Sequence, residues 1–249
     1  HRLRQPLGPG EGPAQVAIYV PGVGTGRGIT MTGRGLDRVL GGAFGLGLNL
    51  TLEDAYRALV FAHEPGDRLY LFGFSRGAYM ARSLAGLLRA SGLPPRRNLH
   101  RIPEAVRRYR SVLARTHPSH ESSHRFRLEV SPEVTTGRTE VDWRAQHGHP
   151  AGVPLDVAYL GVWDTVGALG VPAQYRLLAG LLNGPHQFHD TALSSLVRAA
   201  RHAVAIDERR RTFEPALWSA ESLADLNARA SAGTRPYRQE WFPGTHGGV

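Results

Sequence analysis

Apolar residues along this chain fall into short blocks that alternate between continuous, strand-like runs and runs at helical spacing. Gln15 to Val20 reads as a short strand that ends in the glycine-rich loop Pro21-Gly22-Val23-Gly24-Thr25-Gly26. A second glycine-rich loop, Gly41 to Gly47, precedes a predicted helix over 50 to 62, whose apolar face is Leu52, Ala55, Tyr56, Leu59 and Val60. The turn Glu64-Pro65-Gly66-Asp67 introduces Arg68 to Phe74, aromatic and aliphatic residues that predict a buried strand. Ala81, Leu84, Ala85, Leu87 and Leu88 then recur at helical spacing until Gly92 and Pro94 stop the run.

From Leu93 to Pro154 the pattern weakens to a basic helix over Pro103 to Arg115 and polar, proline-punctuated sequence, the signature of an insertion of the kind that forms substrate-contacting lids. Order returns with the apolar run Val157 to Trp163. Helices are predicted at 190 to 206 and 219 to 229, and a short strand at Gln239 to Phe242.

Strands followed by helices in this order predict an α/β fold with a mostly parallel sheet flanked by helices and a cap-like insertion at about 93 to 154. Residues 1 to 13, rich in proline, glycine and arginine, are expected to be a disordered or cut end, and 14 to 249 a single domain. A length of 249 residues with 41% apolar and 20% charged residues suits one substantial core. No apolar run reaches membrane-spanning length, and the N-terminus lacks the apolar core of a signal peptide, so a soluble protein is expected. The absence of cysteine removes disulfides and thiolate metal sites from consideration.

A net charge of +9, with arginine as its source, gives the surface a preference for anionic partners such as phospholipid head groups. Sparse aromatic interleaving with the arginines argues against a platform for single-stranded nucleic acid, and no nucleic-acid partner is expected.

The most specific chemical signal is Gly73-Phe74-Ser75-Arg76-Gly77, a G-x-S-x-G pattern set between a predicted strand and a predicted helix. An abrupt strand-to-helix turn forces the serine into a strained backbone conformation, thrusts its hydroxyl outward, and leaves the Arg76 amide N–H and the helix N-terminus facing any charge that develops on an attacked carbonyl. Gly73 and Gly77 supply the small flanks. Asp164 follows the apolar run 157 to 163, at the carboxyl end of a predicted parallel strand, where open α/β sheets hold their chemistry; Asp156 lies at the opposite end. His246 sits on the glycine-rich loop Pro243 to Gly248.

Ser75, Asp164 and His246 therefore come in the chain order of an α/β-hydrolase triad, in which the imidazole takes the serine proton and the carboxylate holds the ring in the right tautomer. His202 and Asp207 form a rival base and acid, on a run from Arg198 to Asp207 that reads as an amphipathic helix. His117, His120 and His124 lack the spacing of a zinc pair on a helix and are read as a solvated loop; the loop at 21 to 26 lacks the G-K-[ST] ending of a phosphate-binding loop. No metal or organic cofactor is required by this chemistry.

GFSRGAYMARSLAGLL, YLGVWDTVGALGVP, HAVAIDERRRTFEP and WFPGTH together resemble the catalytic domain of type VI secretion phospholipase effectors of the first lipase class, formerly an uncharacterised α/β-hydrolase domain family. The resemblance spans about Val16 to the C-terminus. It implies an α/β-hydrolase fold, cleavage of a lipid acyl ester through an acyl-enzyme, and the roles of nucleophile at Ser75, acid at Asp164 and base at His246. It further implies a bacterial toxin that degrades lipid, made in the cytoplasm without a signal peptide and exported by type VI secretion, with a secretion-apparatus partner and peripheral contact with an anionic membrane.

Two alternatives stand beside it: a noncatalytic basic module that binds anionic membrane or nucleic acid, and an esterase for small soluble esters. The chain departs from the pattern in having no Asp-Gly-Thr strand before Gln15 and in ending at Gly247-Gly248-Val249 after the histidine, so a fragment with an incomplete oxyanion site is expected.

Overall fold

The computed structural model describes residues 2–5, 14–21, 50–111, 113–167, 193–231 and 233–249. Along the chain these form strands β1 (Arg2–Gln5) and β2 (Gln15–Ile18), a helix α1 over 50–62, β3 (Arg68–Phe74), α2 (Arg76–Ser91), α3 (Ile102–Tyr109), α4 (Glu121–Val130), β4 (Val134–Thr135), α5 (Arg138–Gln146), β5 (Val153–Pro154), β6 (Asp156–Trp163), β7 (Ala200–Ala205), α6 (Ala220–Ala228) and β8 (Tyr237–Phe242). Of residues 1 to 13, read from the sequence as a disordered or cut end, Arg2–Gln5 pair antiparallel with Gln15–Ile18. The glycine-rich loops at 22–26 and 41–47 lie outside the described residues.

Among the described residues the central sheet is parallel, with strand order β3-β6-β7-β8. Mixed α/β architecture with a mostly parallel, helix-flanked sheet is thus what the strand–helix alternation predicted. Parallel strands need crossovers, and between β3 and β6 the crossover begins with α2. Leu69 and Leu71 of β3, Leu160 and Val162 of β6, and Ala200 and Val204 of β7 are buried, and Ala78, Ala81, Leu84, Ala85, Leu87 and Leu88 of α2 are buried with them. Leu52, Tyr56 and Val60 of α1 join the same core, and the Tyr56 hydroxyl donates to Gly92 O at the end of α2 (2.8 Å).

β3 is buried on one face rather than both. Tyr70, Phe72 and Phe74 alternate with the core leucines and are exposed, because period-two side chains point to opposite faces and α2 packs on the leucine side. At the amino end of the strands Asp156 pairs with Arg198 (2.8 Å) and, at 3.7 Å, with Arg68.

The segment 93–154 holds more regular structure than its sequence pattern suggested. The basic helix ends at Tyr109, and α4 and α5 lie in the stretch with no clear apolar period. Phe126 and Val130 of α4 reach the main core, and a buried ion cluster ties α4 to α5. Glu140, fully buried, accepts from Arg127 Nε at 2.6 Å and from Arg144 Nη2 at 2.6 Å, with Thr136 N and Oγ1 each at 3.1 Å. Arg127 also donates to Ala90 O, and Ser131 Oγ to Ser91 O. These bonds dock the segment on the last turn of α2, about 20 Å along the helix axis from its first residue. The lid expected of 93–154 is therefore fastened at the end of α2 remote from Ser75.

No helix among the described residues is long and apolar enough to cross a membrane.

Candidate active site

Ser75 occupies the single-residue turn between β3 and α2. Its N–H donates to Trp163 O (2.9 Å), continuing the β3–β6 ladder, while its own carbonyl accepts from Ala78 N (3.1 Å), the first bond of the helix. One residue must serve both strand and helix, which drives Ser75 to φ 56°, ψ −122°. The turn is tight enough that a Cβ at Gly73 would lie 2.5 Å from Gly77 C and 2.6 Å from Ala78 N. The two flanking glycines are unequal: around Gly77 no described atom lies within 4 Å of a built Cβ.

Asp164 leaves the end of β6 at φ 38°. Among the described residues, Ser75 and Asp164 are the only non-glycine positions with positive φ. Such conformations cost about 1–3 kcal/mol each and persist only where surrounding bonds over-determine them. Around Asp164 those bonds are present: its N–H donates to Ala203 O (2.7 Å), and its Oδ1 accepts from Ala205 N (3.1 Å). That leaves Oδ2 for His246.

His246 follows β8 on the loop 243–248 and is 6% exposed. Its Nδ1 lies 2.5 Å from Asp164 Oδ2 and its Nε2 lies 2.7 Å from Ser75 Oγ. With Nδ1–H donating to the carboxylate, Nε2 presents its lone pair to the serine hydroxyl. The imidazole is held between two rings, Phe74 at 4.7 Å and Phe213 at 4.4 Å between centroids. Its backbone N–H donates to Glu208 Oε2 (3.1 Å), a carboxylate gripped by the Arg210 guanidinium through Nε (2.8 Å) and Nη2 (2.7 Å). The Arg210 hydrogen bonds hold the Glu208 carboxyl well below the usual carboxylate range.

The structure thus brings Ser75, Asp164 and His246 into one hydrogen-bonded row, across separations of 171 and 82 residues. The Arg76 amide N–H opens α2 beside them, at the positive end of the helix dipole.

His202 and Asp207 are not brought together. The predicted helix around His202 is strand β7, where Ala200, His202 and Val204 form its buried row; a six-residue strand offers too few positions to separate period two from period 3.6. Both nitrogens of His202 are committed: Nδ1 sits 2.9 Å from Gln239 Oε1, and Nε2 accepts from Thr165 N (3.2 Å). Burial pushes the imidazole pKa down to about 4, so the ring is neutral and props the Asp164 turn from below. Asp207 Oδ2 accepts from Gly244 N (2.8 Å) at the start of the His246 loop.

The histidines at 117–124 are not a solvated loop throughout. His120 caps α4 by accepting from Ser122 N, and His124 is buried on that helix, 2.7 Å from Arg127 Nη2. Among the described residues no group of histidine and carboxylate side chains is arranged to hold a metal ion. Sequence reasoning left Glu208, Arg210 and Phe213 without a role, although they lie in the quoted run HAVAIDERRRTFEP. Nothing local ties them to a histidine 38 residues away.

A family model described as "T6SS, Phospholipase effector Tle1-like, catalytic domain" matches residues 2–249, almost the whole chain. An uncharacterized protein of Saccharomyces cerevisiae is 28% identical over 214 residues, which cover 82% of this chain. The matched region spans 27% of that protein's length. No solved structure matches.

Proposed function

The chain belongs to the family of Tle1-like phospholipase effector catalytic domains of type VI secretion, and from that premise we propose that it is a serine hydrolase of the α/β-hydrolase type that cleaves an acyl ester of a phospholipid. Ser75 Oγ attacks the ester carbonyl as His246 Nε2 takes its proton. Asp164 keeps the ring in the Nδ1–H tautomer and stabilises the imidazolium that forms.

Negative charge gathers on the former carbonyl oxygen, where the Arg76 backbone N–H and the α2 dipole act in a partly water-excluded site. Collapse of the tetrahedral intermediate expels the glycerol-side alcohol, which takes the proton from His246. The acyl group is left on Ser75. Water, deprotonated by the same nitrogen, releases the fatty acid and restores the hydroxyl. No step needs a metal or an organic cofactor.

The observation that carries this function is the continuous relay of 2.7 Å and 2.5 Å from Ser75 Oγ through the imidazole to Asp164 Oδ2, within the hydrogen-bond reach required of a nucleophile, its base and its orienting acid. Two strained non-glycine residues at its ends support it, since strain of this kind concentrates at functional sites.

Ser75→Ala is expected to lower ester turnover by at least ~10³-fold and to abolish labelling by a fluorophosphonate, with folding unchanged. Retained turnover in that variant overturns the assignment. Mixed micelles of a diacyl phospholipid compared with a short-chain soluble ester test the substrate class, and a clear preference for the soluble ester moves the chain to the small-ester hydrolases. The basic-module alternative, favoured by the +9 charge, requires salt-sensitive vesicle binding as the sole activity, intact in Ser75→Ala. Delivery by type VI secretion, and contact with its apparatus, belong to the same proposal.

A further inference from the structure

We infer that Glu208, braced by Arg210, is a positioning residue for His246, and that the segment 207–213 exists to deliver that imidazole to Ser75. The inference rests on the serine-hydrolase reading above and assigns a role to the run that reading leaves unused.

The loop 243–248 carries the base but has little internal structure beyond a single turn, closed by Gly248 N donating to Thr245 O (2.8 Å). A loop of that kind places a side chain to within tenths of an ångström only if it is held from outside. The segment after β7 holds it at three points. Asp207 exchanges a pair of bonds with Gly244, its N–H donating to Gly244 O (3.1 Å) and its Oδ2 accepting from Gly244 N (2.8 Å). Glu208 Oε2 accepts the N–H of His246 itself, at 3.1 Å. Phe213 lies against the imidazole face.

The last two contacts share one brace. Arg210 grips Glu208 through Nε and Nη2, and its guanidinium sits 4.2 Å from the Phe213 ring centroid. Glu208 also closes the segment on itself by accepting from Arg210 N (2.8 Å). The Glu208 side chain is only 5% exposed although it is charged, so it is committed to these partners rather than to water. Fixing the His246 backbone, the ring plane and the tautomer separately, through Glu208, the Phe74–Phe213 pair and Asp164, leaves Nε2 little freedom but to face Ser75 Oγ.

Glu208→Ala removes the acceptor and frees Arg210. The expected result is a fall in kcat of about 10- to 100-fold, the scale of a misplacement near 1 Å, with KM changed less than about threefold. The second-order rate of fluorophosphonate labelling at Ser75 falls by the same factor. Glu208→Gln, which keeps an oxygen for the His246 N–H, recovers part of both rates, and Arg210→Ala falls between Gln and Ala. Circular dichroism and thermal melting establish that each variant is folded.

Turnover and labelling within twofold of wild type in both Glu208→Ala and Arg210→Ala overturn the inference. So does a loss that merely tracks the unfolded fraction with no recovery in Glu208→Gln. A Ser75→Ala control separates the two levels: if it is inactive while the Glu208 variants are normal, positioning alone fails; if it retains turnover, the hydrolase reading falls and takes this inference with it.

Discussion

Of the two glycines that define the serine motif, only Gly73 is required by the geometry, and alanine at each position makes opposite predictions. A methyl at residue 73 would sit 2.5 Å from Gly77 C and 2.6 Å from Ala78 N. Carbon atoms at rest stand about 3.5 Å or more apart, so strand and helix start must separate by about 1 Å. Both neighbours are backbone, and no rotamer change relieves them.

Ser75 lies between the two clashing residues and inherits the displacement. Its 2.7 Å approach to His246 Nε2 then stretches beyond the roughly 3.2 Å limit of a useful proton transfer. Overpacking of this kind costs about 1–3 kcal/mol in stability, and a 1 Å misplacement of reacting groups costs about 100-fold in rate. Gly77→Ala meets no described atom within 4 Å and adds a better helix former, so its stability should be unchanged or raised by at most ~1 kcal/mol.

Urea unfolding followed by tryptophan fluorescence, with fluorophosphonate labelling rates, measures both effects. Gly73→Ala within 0.5 kcal/mol (roughly the scatter of an ordinary surface substitution) and threefold of wild type, or Gly77→Ala as destabilised as Gly73→Ala, would refute the reasoning.

Glu140→Ala strands two buried guanidinium groups and should cost about 3–5 kcal/mol in urea unfolding, while the folded fraction keeps its ester turnover because the ion triad lies at the far end of α2; a loss under about 1 kcal/mol would contradict that role. His202, with its pKa lowered to about 4, binds a proton in the unfolded chain near pH 6.5 that the folded protein refuses until near pH 4. Its contribution to stability is therefore intact above pH 6.5 and is lost as pH falls through that window, about 3 kcal/mol in all. In His202→Gln the dependence of unfolding free energy on pH between 6.5 and 4 should flatten by about one proton, and an unchanged slope would exclude a neutral buried imidazole.

Much of the candidate site was legible because its parts are locally encoded. The apolar run Arg68–Phe74, the glycine at 73 and the helical period after Ser75 lie within one stretch of chain, and strand, turn and helix follow from adjacent residues. Asp164 was legible for a related reason, since an acid directly after an apolar run falls at a strand end. The interior of 93–154 was not legible. Its helices α4 and α5 are joined by a buried Arg127–Glu140–Arg144 cluster, and charged residues read as surface until their partners are known.

By itself the sequence determined the strand–turn–helix at Ser75, the strand that ends at Asp164 and the short list of acids and histidines that chemistry admits, but not that the run around His202 is a strand. Which histidine reaches the serine was decided only in three dimensions. The parallel register of β6, β7 and β8 sets His202 opposite Val162 and Gln239, on a buried row with both nitrogens engaged, and carries the chain past Phe242 so that His246 lies beyond the strand ends beside Ser75 and Asp164. Side chains up to 171 residues apart meet through sheet register, and register is set by burial of whole strands against one another rather than by any residue's near neighbours.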